Sequence, residues 1–103
     1  MIYFNKYSTQ NGDVLALCDE EHIGKVLEEG KMILDLDKYA GFYKGELLDH
    51  KTTISRVKES NIYTGNAVGK NSIDVFKSLG IVTEKEIKTI KGVPFIQIYK
   101  LLI

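Results

Sequence analysis

The spacing of apolar and polar positions along the chain changes several times, and each change marks an element. Ile2–Ser8 is rich in β-branched and aromatic residues and predicts a strand. Asn11-Gly12 follows, a pair that readily takes positive φ and signals a hairpin turn. Val14–Cys18 is the return strand, and its unbroken apolar run predicts burial on both faces. Asp19 caps a single turn to Ile23, with Glu20 and Glu21 behind it and Gly24 ending it. Lys25–Leu27 is a short strand before Gly30. Met32, Leu34 and Leu36 then share one face of a third main strand.

The middle of the chain is less regular. Tyr39–Gly45 reads as a loop rich in glycine and aromatics, and Glu46–Ser60 as a helix with Leu47, Ile54 and Val57 inward. Asn61–Gly69 follows neither period. Ser72–Leu79 is a clearer helix, with Ile73, Phe76 and Leu79 as its apolar stripe, Asn71 or Ser72 as cap and Gly80 as stop. Thr83 and Glu86 have capping-box spacing. Ile87–Ile90 and Phe95–Leu101 form a second hairpin across Lys91-Gly92-Val93-Pro94. Strands, then helices, then strands predict an α+β domain: one unit over residues 1–103, a mixed or antiparallel sheet of about five strands built from the two hairpins, and two main helices.

Composition agrees. The chain has 103 residues, 44% hydrophobic and 27% charged, as in a globular domain rather than a disordered chain. No run approaches the roughly 20 apolar residues of a membrane span, and Met1–Lys6 lacks the pattern of a signal peptide, so the expected place is the cytoplasm, away from membranes. The single cysteine, Cys18, excludes an intrachain disulfide, and two histidines supply a zinc site poorly; neither metal nor cofactor is expected. Cys18–His22 is a weak nucleophile–base pair, since Asp19, Glu20 and Glu21 would raise the thiol pKa. Asp35 and Asp37 share a strand face but lack a second cluster to complete a cation site. These readings lean away from an enzyme.

Net charge is zero but unevenly placed. Residues 1–50 carry five lysines against ten carboxylates, and residues 51–103 carry nine basic residues against four carboxylates. Such asymmetry points towards a polyanion partner. Gly65-Asn66-Ala67-Val68-Gly69-Lys70-Asn71-Ser72 has the parts of an anion site at a helix start. It is not a phosphate-binding P-loop: three residues, not four, separate the glycines, and Asn71 divides Lys70 from Ser72. A looser site for phosphate or an RNA backbone would use Gly65, Asn66, Gly69, Lys70 and Asn71, with Arg56, Lys58 and Lys91 supplying charge and Tyr63 a stacking surface. Against this, Arg56 and Lys58 are more readily read as solvated and Tyr63 as core.

Together these segments resemble an uncharacterised archaeal family, domain of unknown function 424. The likeness rests on Met1-Ile2-Tyr3, Cys18-Asp19-Glu20-Glu21, Gly24-Lys25, Gly30, Asn66-Ala67-Val68-Gly69, Leu79-Gly80-Ile81-Val82 and Gly92-Val93-Pro94 with Gln97. The family pattern often has an acidic–basic pair after the second of these glycines and a histidine after the proline. This chain has Lys70-Asn71 and Phe95 there. The resemblance implies a small archaeal α+β domain and supplies no established activity. The functional expectation is a non-catalytic module for RNA or a ribonucleoprotein. The alternatives are a small-ligand binder or enzyme with a pocket between Tyr39–Gly45 and Gly65–Asn71, and a homo-oligomeric interaction module. Oligomeric state is open.

Overall fold

The structure is a computed structural model and describes residues 1–99. Eight strands run in chain order: β1 (Ile2–Thr9), β2 (Gly12–Asp19), β3 (Val26–Glu29), β4 (Met32–Asp35), β5 (Glu46–Leu48), β6 (Ile62–Val68), β7 (Lys88–Ile90) and β8 (Val93–Tyr99). The α-helices are α1 (Ala40–Tyr43), α2 (His50–Lys58) and α3 (Lys70–Ser78). Six strands form one mixed sheet in the order β5-β1-β2-β6-β8-β7, and β3 and β4 form a separate hairpin. The fold is α+β, as expected, with one more strand in the main sheet than expected.

β2 and β6 are parallel neighbours at the centre of this sheet; the pairings flanking them are antiparallel. A parallel pair needs a long crossover, and here everything from the Glu20–His22 turn to α2 lies between the two strands. Leu15, Ala16, Leu17 and Cys18 of β2 are completely buried, so the run read as covered on both faces is so from Leu15 onward, while Val14 at its start is half-buried. Alternation divides the sheet into two faces. On one, Phe4, Leu15, Leu17 and Ala67 pack with Val57 of α2 and Ile73 and Phe76 of α3 to form the main core. On the other, Ala16, Cys18 and Val68 meet Leu36 and Tyr43, a smaller core beneath the β3–α1 segment.

Several elements differ from expectation, each for a local reason. The first turn is Gln10-Asn11, with Gly12 already paired to Thr9. Gly12 has φ +128°, and a Cβ there would sit 2.7 Å from the Asn61 carbonyl oxygen, so the glycine allows a close approach of two chain segments. The expected third main strand, Met32–Leu36, pairs only with β3. Glu46–Leu48, read as helical, instead adds an edge strand to β1. The helix begins afterwards, where Asp49 accepts a 2.7 Å bond from the Thr52 amide. Leu47 is therefore 40% exposed on an edge rather than inside a helix.

β6 had no sequence signal because Gly65 and Asn66 interrupt it. Tertiary space favours Gly65, since a Cβ there would lie 3.1 Å from the Phe76 ring and 3.0 Å from Ile98, tighter than ordinary van der Waals contact. The last turn is tighter than expected. Lys91 and Gly92 both take positive φ, 52° and 77°, as in a two-residue type I′ hairpin turn. Val93 and Pro94 consequently belong to β8. The expected continuation of that strand to Leu101 lies outside the described residues.

Candidate functional site

The parallel pairing of β2 and β6 brings their C-terminal ends side by side, and α3 starts directly after β6. Asp19, the last residue of β2, therefore reaches the first turn of α3. Its carboxylate accepts from the Asn71 amide at 3.0 Å, the Ser72 amide at 2.8 Å and the Ser72 hydroxyl at 2.8 Å. Asp19 is 1% exposed. Gly69 has φ +101°, and a Cβ on it would lie 2.3 Å from the Asp19 Cγ. The glycine that read as part of an anion cradle thus makes room for an internal anion. Free amides at a helix start favour negative charge, and Asp19 meets that demand from within the fold. Asp19 makes no side-chain cap to the Glu20–His22 turn it precedes, and neither Asn71 nor Ser72 caps α3.

The predicted basic residues are divided among α2, which carries Arg56 and Lys58, the start of α3, which carries Lys70, and the β7–β8 turn, which carries Lys91. Arg56, on α2, grips Glu46 of β5 through two bonds, 2.6 and 3.1 Å, which lower the Glu46 pKa and raise that of Arg56. Lys58 is exposed at the end of α2. Lys70 opens α3 and lines a shallow hollow with Asp74, Lys77 and Glu84. Lys91 forms part of the β7–β8 turn, at the opposite side of the sheet from β5, and its amide donates to Glu29 at 2.9 Å. Glu20 and Glu21 flank the start of α3 in a small hollow with Met1 and Asn71. Asp19, Glu21 and His22 place donor atoms within 4.8 Å of one another, but both Asp19 oxygens are engaged by α3.

A different place is open. Between the β4–α1 segment and the exposed part of the β2–β6–β8 face lies a cleft of about 600 Å³. Strand register builds its floor. Val14 of β2 lies beside Thr64 of β6, which lies opposite Tyr99 of β8. In the next row Ala16 lies beside Asn66, directly opposite Gln97. Asn66 donates one N–H to the Leu15 carbonyl at 3.2 Å, which fixes how its carboxamide stands. Gln97 is exposed.

The far wall is fastened aromatic by aromatic. Phe42 stacks on Tyr7 at 5.4 Å with the rings 1° from parallel, and meets Tyr43 edge-on at 5.1 Å. The Tyr7 hydroxyl donates to the Phe42 carbonyl at 2.8 Å, so α1 is held to β1 as well as to the floor. Tyr43 is nearly buried, and that burial pushes its phenol up to about 12. Cys18, beneath, is likewise raised to about 12 by burial, with the nearby Asp19 charge adding to it. Both stay neutral at physiological pH. Asp35 is the cleft's one charged lining residue among those described, and its Oδ1 accepts from the Asp37 and Lys38 amides at 3.1 and 2.8 Å. Tyr39 and Tyr99 stand at the rim, 54% and 65% exposed.

Of the predicted site residues, only Asn66 reaches this cleft. Thr64 and Tyr99 were not in that set; Gln97 reads from sequence as a ligand contact or, more often, a half-exposed strand residue, and Tyr39, Phe42 and Tyr43 read as a groove lining or as a staple of their loop onto the core. The alternation Phe95, Gln97, Tyr99 was the available signal, a polar residue between aromatics on one strand face.

Comparison with known proteins agrees with this architecture. The family model described as protein of unknown function (DUF424) matches residues 7–101. The chain belongs to the DUF424 family. This DUF424 chain is also similar to the crystal structure of an uncharacterized conserved protein from Methanopyrus kandleri. The two share 28% identity with a TM-score of 0.81, over 95% of this chain and 90% of the other. No curated protein matches it. No helix among the described residues of this DUF424 chain is long and apolar enough to cross a membrane.

Proposed function

We propose that this DUF424 protein is a non-catalytic ligand-binding domain whose ligand lies in the cleft between the β4–α1 segment and the β2–β6–β8 face. The observation carrying this reading is the Asn66–Gln97 pair: two carboxamide residues at paired positions of neighbouring strands, both lining a cleft of about 600 Å³ walled by aromatics. Ligand sites typically combine a largely apolar lining with a few placed polar groups. Binding is favoured over turnover because the neighbouring thiol and phenol are held neutral, and Asp35 is tied to two backbone amides. A reaction needs a positioned base or nucleophile, and none of these side chains supplies one.

RNA-backbone binding through Gly65, Asn66, Gly69, Lys70 and Asn71, with Arg56, Lys58 and Lys91, draws less support. It requires outward amides at α3, whereas the Asn71 and Ser72 amides bond to Asp19, and Arg56 is paired with Glu46. A thermal-shift screen with small neutral aromatics, sugars, nucleotides and phosphorylated metabolites tests the proposal. Stabilisation by some compound, reduced in Tyr39→Ala and Gln97→Leu, is expected. Stabilisation only by phosphorylated compounds, unaffected by those substitutions and lost in Lys70→Glu, would favour the anion site instead.

A further inference from the structure

The lining of the cleft narrows the class of ligand, given that the cleft is a binding site. Among the described residues it includes no lysine, arginine or histidine and one carboxylate, Asp35. A phosphate, sulfate or carboxylate buried against these residues would lose its hydration with no cation among the described lining residues to replace it, a cost that charged groups rarely recover unless paired; Lys38 lies over the Tyr39 ring at the rim. The ligand must therefore be neutral where it is buried.

Its polar demand comes from the floor. A carboxamide offers an acceptor oxygen and two N–H donors side by side. Asn66 uses one donor on Leu15. Gln97 stands opposite it in register, and Thr64 adds a hydroxyl in the adjacent row. This row of mixed donors and acceptors matches a flat ring edge that alternates N–H, C=O and ring nitrogen. Carboxamides recognise base edges through such paired bonds. The rim supplies the complementary surface: Tyr39 and Tyr99 are exposed aromatic rings beside the polar floor, suited to the face of a heterocycle.

We infer that the cleft binds a neutral nucleobase, with its hydrogen-bonding edge on Asn66 and Gln97 and its face against the rim tyrosines. Sugar and any phosphate extend outward, away from the cation-free floor. A free nucleoside and an unstacked base of single-stranded RNA share this chemistry.

Titration calorimetry on the intact protein tests the inference with adenosine, guanosine, cytidine, uridine, ribose, inorganic phosphate, indole and a mixed-sequence hexaribonucleotide. At least one nucleoside is expected to bind, while ribose and phosphate do not. Gln97→Leu should weaken that binding roughly tenfold, the worth of a hydrogen bond at the upper end of its range. Tyr99→Ala, at an exposed position, provides a second variant that folds. A hexanucleotide that binds tenfold or more above the best nucleoside, and loses that binding with Gln97→Leu, assigns the base to RNA. Equal affinity assigns it to a free nucleoside. If indole binds and no nucleoside does, the nucleobase inference fails while the cleft remains a ligand site. If nothing binds and the thermal-shift screen is also blank, both fail.

Discussion

The start of α3 and the floor of the cleft lie on the same two central strands, yet they resolve their polar groups in opposite ways. At the ends of β2 and β6 the backbone amides are taken by Asp19, a carboxylate supplied by the chain itself. Farther back on the sheet, on the face away from α2 and α3, Asn66 in the middle of β6 is paired in register with Gln97 of the adjacent β8 at an open concavity. The position beyond the carboxyl ends of parallel strands is where open α/β sheets commonly hold ligands. Here an internal anion holds it, and the concavity lies elsewhere. A glycine–lysine helix start is thus evidence of a demand for negative charge, not of a ligand that meets it.

Substitutions break this comparison from its closed side first. Gly69→Ala should be the most damaging: a left-handed position gains a Cβ inside the van der Waals radius of Asp19, costing about 3 kcal/mol or more. Urea denaturation measures this, and a near-neutral result would mean that the contact relaxes freely. Asp19→Ala follows at roughly 3 kcal/mol, because it strips a buried, charge-assisted partner from two amides and a hydroxyl. It also opens the helix start. Added sulfate should then recover part of the lost stability in the variant and do little for the native protein. If sulfate stabilises the two equally, the native amides are not closed.

The open side should behave differently. Gln97→Leu, at an exposed position, should change stability by less than about 0.5 kcal/mol while removing ligand response. A large destabilisation would make Gln97 a structural residue. Cys18 sharpens the contrast further. Its pKa is raised from 9 to about 12, so the folded state holds the thiol proton more tightly than the unfolded chain. That contribution is complete below about pH 9 and is lost as pH rises towards 12. Thiol labelling at pH 8 should therefore be slow in the native protein and fast in urea. The smallest effect belongs to Asp49, whose carboxyl is held below the usual range by its bonds to Thr52. Its cap stabilises above the ordinary carboxylate range and fades as pH falls through it; Asp49→Ala should lower Tm slightly at pH 7 and less at pH 3.

Legibility in the sequence followed local information. The two hairpins, the buried β2 and the apolar stripe of α3 were readable because their patterns are short-range. β5 was not: Glu46–Leu48 becomes a strand only because β1 has an open edge. β6 was not, since Gly65 and Asn66 lower β propensity and are explained by Phe76, Ile98 and the cleft, all distant in sequence. The capping role of Asp19 for α3 is equally non-local, joining residues more than 50 positions apart. From sequence the cleft reads only as a pocket between the Tyr39–Gly45 loop and the Gly65–Asn71 turn, and of that turn Asn66 alone lines it. Its floor depends on the pairing of Asn66 with Gln97, which register alone determines.

Nitrogen-edited NMR spectra of the side-chain carboxamides offer the most direct test. During a nucleoside titration the Asn66 and Gln97 NH₂ signals should move together along saturable curves, while the Asn71 and Ser72 backbone amides stay in place. Carboxamide signals that remain fixed while the Asn71 and Ser72 amides shift would put the binding site at α3 and contradict the account.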